Sequence, residues 1–212
     1  MKKTFLALLA AVILLACSCT SGTADSEGAE EASGANLYTQ ETVLPEGEET
    51  ESEIKSILSG EVVDARSGEK VKVSELDSDD DRKTEPERYC VVDLDSDGKN
   101  EYLIEYSDFG NTAIVREYEG ELYAYMIPFR ARQMVKTDGE MMWSDSADCS
   151  GTQRAVFSGR EMEMVITLES DFYEDVHFVD GKEVSLDEAL KAWEKFEAKE
   201  NAEIVSVYEL YE

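Results

Sequence analysis

From residue 89 onward the chain repeats short apolar runs that are separated by residues favouring turns. Asp138-Gly139 and Asp180-Gly181 each lie between two such runs, and Asp-Gly is a strong hairpin signal because the turn needs positive φ. The pattern predicts an antiparallel β-meander. Its candidate strands are residues 89–94, 101–107, 112–118, 121–129, 131–137, 140–144, 153–157, 161–169, 175–179 and 203–210.

The run at residues 161–169 has the clearest period of two. Its apolar residues are Met162, Met164, Ile166 and Leu168, and they alternate with Glu161, Glu163, Thr167 and Glu169. This alternation predicts a strand with one face in the core and the other in solvent. A sandwich, a barrel and a partial propeller all remain compatible with the pattern.

Helices are predicted before and after the meander. Ser185 and Glu188 form a capping box, and apolar residues then recur at helical spacing. A short helix is expected at 50–58 and a hairpin at 61–73. The predicted fold is mainly β, of the α+β class, with about ten to twelve strands and the C-terminal amphipathic helix packed on them. The apolar stripe of that helix is Leu186, Ala189, Leu190, Trp193 and Phe196.

The N-terminus has the organisation of a secretion signal. Lys2 and Lys3 precede an apolar stretch at 5–16, which is shorter than the roughly 20 residues that span a bilayer. The junction Leu14-Leu15-Ala16-Cys17 resembles the lipobox of bacterial lipoproteins. That resemblance implies cleavage after Ala16 and lipid on Cys17, where two or three acyl chains such as palmitate give a stable anchor on the outer face of the membrane. The alternative is an ordinary signal peptide that is cut elsewhere.

The segment after Cys17 predicts a disordered tether. It is acidic, lacks Lys and Arg, and is rich in Ser, Thr and Gly, so it cannot bury enough apolar surface to fold. The expected organisation is a signal peptide at 1–16, the lipidated cysteine and acidic tether at 17–50, and a single β-rich domain at 51–212.

The charge balance excludes several kinds of partner. The chain has 49 acidic and 20 basic residues and a net charge of −29, which repels nucleic acid and anionic headgroups and favours divalent cations. We expect a monomer that contacts the membrane through its lipid anchor only, with an extracellular glycan or protein as its partner. Acidity could equally serve solubility alone.

Two cysteines remain beyond the lipobox region. Outside the cytoplasm, Cys90 and Cys149 could form a disulfide. They could also be small buried hydrophobic residues.

The stretch at 91–106, VVDLDSDGKNEYLIEY, predicts a calcium loop. Acids at alternating positions can wrap one ion, and Gly98 permits the turn that points the Lys99 carbonyl inward. An EF-hand would need Glu where Ile104 stands and helices where these flanks are strands. Asp-x-Asp-x-Asp-Gly with an acid at position nine, between strands, resembles the loops of integrin-type (FG-GAP) β-propellers. That resemblance implies calcium ligands from Asp93, Asp95, Asp97, the Lys99 carbonyl and Glu101.

Residues 89–210 also resemble surface lipoproteins of clostridial gut bacteria. Those proteins share the strand–DxDxDG–strand opening, a tyrosine-rich meander and a final DGKEVS hairpin, which is 180–185 here. The resemblance covers a little over half the chain. It implies a location at the cell surface and a fold, but no activity.

A degenerate copy of the acidic spacing lies upstream. Arg82 replaces its glycine, so a solvated loop is expected there. The spacing is repeated by Asp77, Asp79, Asp81 and Glu85.

Catalytic motifs are missing from the sequence. His177 is the single histidine, and neither G-x-S-x-G nor a phosphate-binding loop occurs. The sequence therefore predicts a non-enzymatic, calcium-stabilised surface domain. One alternative is a carbohydrate- or peptide-binding module, and another is a small carboxylate-based hydrolase. The aromatic side chains offered for binding are Tyr102, Tyr106, Tyr118, Tyr123, Tyr125 and Trp143.

Overall fold

The computed structural model describes residues 47–77, 84–107 and 110–211. Within these ranges the protein is mainly β with two α-helices, which confirms the predicted α+β class. The helices are α1 (Gly47–Ser59) and α2 (Leu186–Glu197). The strands are β1 (Glu61–Asp64), β2 (Lys70–Lys72), β3 (Pro86–Val92), β4 (Glu101–Tyr106), β5 (Thr112–Tyr118), β6 (Glu121–Ile127), β7 (Met134–Val135), β8 (Glu140–Ser144), β9 (Cys149–Ser158), β10 (Glu161–Asp171), β11 (Val176–Val179), β12 (Lys182–Val184) and β13 (Val205–Ser206).

The first sheet has seven strands in the order β13-β3-β4-β5-β6-β1-β2. Strands β3 to β6 form the predicted antiparallel meander. The β1–β2 hairpin precedes them in the chain and joins the far edge, where β1 runs parallel to β6. The meander predicted from residue 89 onward did not include this hairpin, so the parallel pair at this edge was not predicted.

The second sheet is an antiparallel meander of six strands in the order β12-β11-β10-β9-β8-β7. Its β11–β12 hairpin turns at Asp180 and Gly181, with φ values of 49° and 70°. The β5–β6 hairpin of the first sheet turns in the same way at Glu119 and Gly120, with φ values of 53° and 82°. The Asp180-Gly181 turn has the positive φ predicted at both positions, whereas at Asp138-Gly139 only Gly139 has it, with a φ of 80°.

Strand β10 departs from the alternation predicted for it. Met162 and Met164 pack against the core between the sheets, but Ile166 is 43% exposed. The register with β9 shifts between Ile166 and Leu168, and the bulge turns Leu168 into a different core, against α2. One extra residue in a strand reverses the faces of all residues after it.

The two sheets share a core, so the described chain is a sandwich rather than a barrel or a partial propeller. Met141 packs into this shared core, whereas its neighbour Met142 packs against α2 on the opposite face of the second sheet. Helix α1 covers the outer face of the first sheet. Buried side chains of the shared core come from both sheets and include Cys90, Val92, Leu103, Ile114, Ile127, Met141 and Ala155.

Helix α2 has the predicted cap and the predicted stripe. The Ser185 side chain accepts a hydrogen bond from the Glu188 amide, and the Glu188 side chain accepts one from the Ser185 amide. Ala189, Trp193 and Phe196 are buried against the second sheet. The capping box is thereby confirmed, and the stripe is confirmed at these three positions, while Leu186 and Leu190 are half-buried.

Two predicted strands are much shorter than expected. The runs at 131–137 and 203–210 keep only β7 and β13, and short 3-10 helices occupy Phe129–Ala131 and Val207–Tyr211. Apolar composition was a poor predictor of a strand near the C-terminus, because Tyr208 and Tyr211 are exposed.

The N-terminal boundary of the domain also differs from the prediction. Helix α1 begins at Gly47, so residues 47–50 belong to it and not to the tether. The remaining tether, the signal peptide at 1–16 and Cys17 lie outside the described residues. No helix in the described ranges is long and apolar enough to cross a membrane.

Strand β4 is buried along its whole length, because it lies in the middle of the first sheet with both faces covered. Tyr102, Ile104 and Tyr106 pack on the α1 side. Leu103 packs toward the second sheet, and by alternation Glu101 and Glu105 share its face. The most buried strand of the domain therefore carries two carboxylates.

Candidate metal centre

The acidic loop connects β3 to β4 and is shaped by its own carboxylates. Gly98 has a φ of 86°, a conformation that glycine adopts without strain. Its amide donates to Asp93 Oδ2 at 2.9 Å, and the Asp97 amide donates to Asp93 Oδ1 at 3.1 Å. These bonds fold the chain back so that alternate side chains converge on the same point.

Three of the four predicted carboxylates come together. Asp93, Asp95 and Glu101 each offer one oxygen, and the three oxygens lie within 4.8 Å of one another. Asp97 is not part of this group. Its Oδ1 accepts a hydrogen bond from the Lys99 amide at 2.8 Å, and its Oδ2 accepts one from Arg116 at 3.3 Å.

Glu101 is the buried member of the group. Its side chain has no solvent exposure, and its Oε2 accepts a hydrogen bond from the Leu94 amide at 2.8 Å. Its Oε1 has no hydrogen-bond partner. Desolvation raises the pKa of Glu101 to about 7, against the lowering effect of the Leu94 hydrogen bond. A cation beside Oε1 would remove the cost of ionising this carboxyl.

Glu105 is four residues further along the same strand and lies between two arginines, although its Oε2, like Glu101 Oε1, accepts no hydrogen bond. Arg132, itself only 4% exposed, forms an ion pair with Glu105 Oε1. Arg88 Nε lies 2.7 Å from Glu105 Oε2. Within one strand, therefore, one buried carboxylate has two arginines close by, and the other has one amide donor and a single, more distant arginine.

The cation nearest to Glu101 is Arg116 of β5, a residue that the sequence analysis did not select. Its Nε lies 3.6 Å from Glu101 Oε1, and its Nη2 lies 3.5 Å from Asp95 Oδ2. Its guanidinium lies over the Phe157 ring, with the carbon 4.2 Å from the ring centre. The sequence did offer one signal for Arg116. It is a lone basic residue in an apolar run, on the strand expected to pair with β4.

The upstream acidic spacing does not form a comparable group among the described residues. Both Asp77 carboxylate oxygens accept hydrogen bonds from Asn111, one from its side chain at 2.6 Å and one from its amide at 3.2 Å. Asp79, Asp81 and Arg82 lie outside the described residues.

Cys90 and Cys149 are both free thiols in the structure. They do not form the disulfide that was one of the two alternatives. Cys90 is buried in the core between the sheets, and Cys149 is half-buried in β9. Burial raises the pKa of the Cys90 thiol to about 11, which keeps it protonated and unreactive.

The aromatic side chains proposed for ligand stacking are mostly in the core. Tyr102 and Tyr106 pack under α1, while Tyr123 and Tyr125 pack between the sheets. A binding face built on these four tyrosines was therefore a wrong prediction. His177 is also buried, in β11 opposite Ser170, which agrees with a structural role for it.

A groove of about 650 Å³ lies beside the second sheet, and the sequence analysis missed it except for Trp143. Phe129 and Trp143 supply aromatic surface, and the polar side chains around them carry both signs of charge. The remaining residues of the groove are Pro128, Arg130, Ala131, Ser144, Asp145, Cys149, Gln153 and Glu169.

Comparisons with known proteins add no further constraint on the site. The chain matches no family model, and neither a curated protein nor a solved structure is significantly similar to it.

The contrast between the two glutamates generates a prediction. Glu105→Gln leaves Arg132 buried without its counter-charge, so it should lower the free energy of unfolding by about 3–5 kcal/mol. Glu101→Gln removes an incompletely paired buried charge, so in chelator at pH 7 it should raise the free energy of unfolding by about 1 kcal/mol. Urea unfolding of both variants measures this. Equal destabilisation by the two substitutions would contradict the difference in pairing.

Proposed function

We propose that this protein is a non-enzymatic, lipid-anchored surface domain that binds calcium in the loop between β3 and β4. The observation that carries the proposal is the Glu101 carboxylate, which is buried, has one oxygen without a hydrogen bond, and faces Asp93 and Asp95. A buried charge of this kind is costly unless a cation compensates it. The Asp-x-Asp-x-Asp-Gly spacing and its acid at position nine support the same site.

Calcium fits the donor set better than other common ions. The loop offers carboxylate and carbonyl oxygens, which calcium takes in flexible numbers at about 2.3–2.6 Å. Zinc prefers nitrogen and sulfur, and magnesium demands a smaller octahedral shell. The proposed ligands are Asp93, Asp95, Asp97, the Lys99 carbonyl and Glu101. Asp97 would have to exchange its present partners for the ion.

The proposed role of the ion is structural. It would bridge the end of β3 to the start of β4 and neutralise the acid at the buried end of the loop. Calcium outside the cell would then stabilise a domain that lipid on Cys17 holds at the outer face of the membrane. The lipobox sequence supports this address.

Calcium should raise the melting temperature of the wild-type domain. Extracellular calcium modules have dissociation constants of about 10⁻⁴–10⁻³ M. A tenfold excess over that constant stabilises the folded state by roughly 1.4 kcal/mol, a rise of about 3–6 °C in melting temperature for a domain of this size. Magnesium should have a smaller effect. Thermal melts in calcium, in magnesium and in chelator provide the measurement.

Two variants control this experiment. Asp95→Asn keeps the shape of the side chain but removes one ligand charge, so it should lose the calcium response. Asp148→Asn changes an exposed acid outside the loop and should keep that response. Wild-type curves that coincide in chelator and in several millimolar calcium would contradict the proposal.

Lipid anchoring at Cys17 makes a separate prediction. Cys17→Ser removes the thiol that would carry diacylglycerol, so the protein should be released from membranes or keep its signal peptide. Detergent partitioning and intact mass of the two forms measure the outcome, with Cys149→Ser as the matched cysteine control. A Cys17→Ser protein that partitions and migrates like wild type would refute the anchor.

The groove favours a second candidate function, the binding of an extracellular glycan or peptide. Its volume lies in the range of ligand pockets. Phe129 is 41% exposed, and the groove combines its ring and that of Trp143 with amide and charged side chains. Aromatic surface with a polar fringe suits a sugar ring or a peptide.

Tryptophan fluorescence can test this groove directly. The chain has two tryptophans, and Trp193 lies in the core, so Trp193→Phe leaves Trp143 as the only reporter. A soluble peptidoglycan fragment, which carries both sugar and peptide, should change the Trp143 emission with saturation. The same titration of Trp193→Phe/Glu169→Gln should show weaker binding. An unchanged emission up to millimolar fragment would contradict a groove for such ligands.

A further inference from the structure

We infer that Arg116 is a built-in competitor of the metal ion, and that its guanidinium sets the calcium affinity of the loop by pairing with the same carboxylates. The inference rests on the proposed calcium site. It adds a residue to that site that supplies no ligand oxygen and bears a charge of the same sign as the ion.

Arg116 contacts three of the four acids of the loop. Its Nη2 lies 3.3 Å from Asp97 Oδ2 and 3.5 Å from Asp95 Oδ2, and its Nε lies 3.6 Å from Glu101 Oε1. Strand pairing explains the position, because Tyr102 of β4 pairs with Val115 of β5. Glu101 and Arg116 are the next residues on these two antiparallel strands. The guanidinium is therefore fixed at the buried end of the loop.

The pairing of Arg116 is loose. Strong charge-assisted hydrogen bonds measure about 2.7–2.9 Å, and all three separations are longer. Its Nη1 is buried without a hydrogen-bond partner. Its side chain is nevertheless only 13% exposed, since the guanidinium lies on the Phe157 ring. A cation–π contact thus holds Arg116 beside the loop, and its one hydrogen bond to a loop carboxylate, Asp97 Oδ2, is long at 3.3 Å.

This arrangement gives the loop two ways to neutralise its charge. Without metal, Arg116 offsets part of the repulsion among the acids, which allows the loop to keep its shape. A calcium ion at bonding distance from Glu101 Oε1 would lie a few ångströms from Arg116 Nε, and the two positive charges would repel. Calcium must then bind despite this repulsion, so its affinity for the loop is lower than the carboxylates alone would give.

Isothermal titration with calcium chloride on the whole folded domain tests this competition. Arg116→Gln keeps a polar side chain without the charge and should tighten the dissociation constant at least tenfold, because charges at this separation repel strongly. Arg116→Lys keeps the charge but loses the stacked guanidinium, so it should bind calcium more weakly than Arg116→Gln does. Arg160→Gln is the control, since Arg160 also lies over an aromatic ring, that of Tyr123, but pairs with Glu119 away from the loop.

The outcomes separate this inference from the calcium site itself. Wild-type binding with an equal or weaker constant in Arg116→Gln would overturn the inference and leave the site standing, because Arg116 would then only position the carboxylates. Binding by Arg116→Gln alone would support the inference and overturn calcium binding by the native chain. No binding by either protein would overturn both.

A second measurement needs no variant and therefore does not depend on how well Arg116→Gln folds. The NMR signal of the Arg116 Nε–H group in the wild-type protein should shift during the calcium titration, with the same dissociation constant as the heat signal. The Arg160 signal should stay in place. An Arg116 signal that does not move while calcium binds would overturn the inference.

Discussion

Two glutamates in the most buried strand of the domain impose the constraint on which the rest of the structure depends. All six residues of β4 are buried, and Glu101 and Glu105 both face the second sheet. A carboxylate in such a place must be paired, coordinated to a metal or neutral. Glu105 is paired, since Arg132 reaches it from the segment that leads into the second sheet. Glu101 has one amide donor and a loosely held Arg116.

The two solutions place different demands on the fold. The Glu105–Arg132 pair is a fixed contact between the first sheet and the connection to the second, and breaking it leaves a charge stranded in the interior. Glu101 lies at the start of β4, where the acidic loop returns beside it and the proposed ion would bind. The strand thus has a buried ion pair at its Glu105 end and an incompletely paired carboxylate at its Glu101 end. We propose that calcium binds at the Glu101 end of the strand, and that Arg116 reduces the repulsion among the loop carboxylates when calcium is scarce.

Local sequence signals predicted the local structure well. The capping box at Ser185, the turn at Asp180-Gly181 and most strands depend on residues that are neighbours in the chain, and these predictions were correct. The spacing of the acids likewise predicted the meeting of Asp93, Asp95 and Glu101.

The features that were not predicted are non-local. The parallel β1–β6 pair, the bulge after Ile166 and the positions of Arg116 and Arg132 depend on which strands lie side by side, and no short pattern encodes that. Asp97 departs from the predicted group because two other groups, the Lys99 amide and Arg116, engage its oxygens.

Crystallography can test the proposed calcium site at the buried Glu101 carboxylate and the proposed competition from Arg116. A crystal structure of the wild-type domain grown in about ten-millimolar calcium, well above the dissociation constants of about 10⁻⁴–10⁻³ M typical of extracellular modules, tests both most directly. We expect an ion at about 2.3–2.6 Å from oxygens of Asp93, Asp95 and Glu101, with the Arg116 guanidinium farther from Glu101 Oε1 than the present 3.6 Å. An empty loop at that concentration, with Arg116 still in contact with Asp95, Asp97 and Glu101, would contradict both.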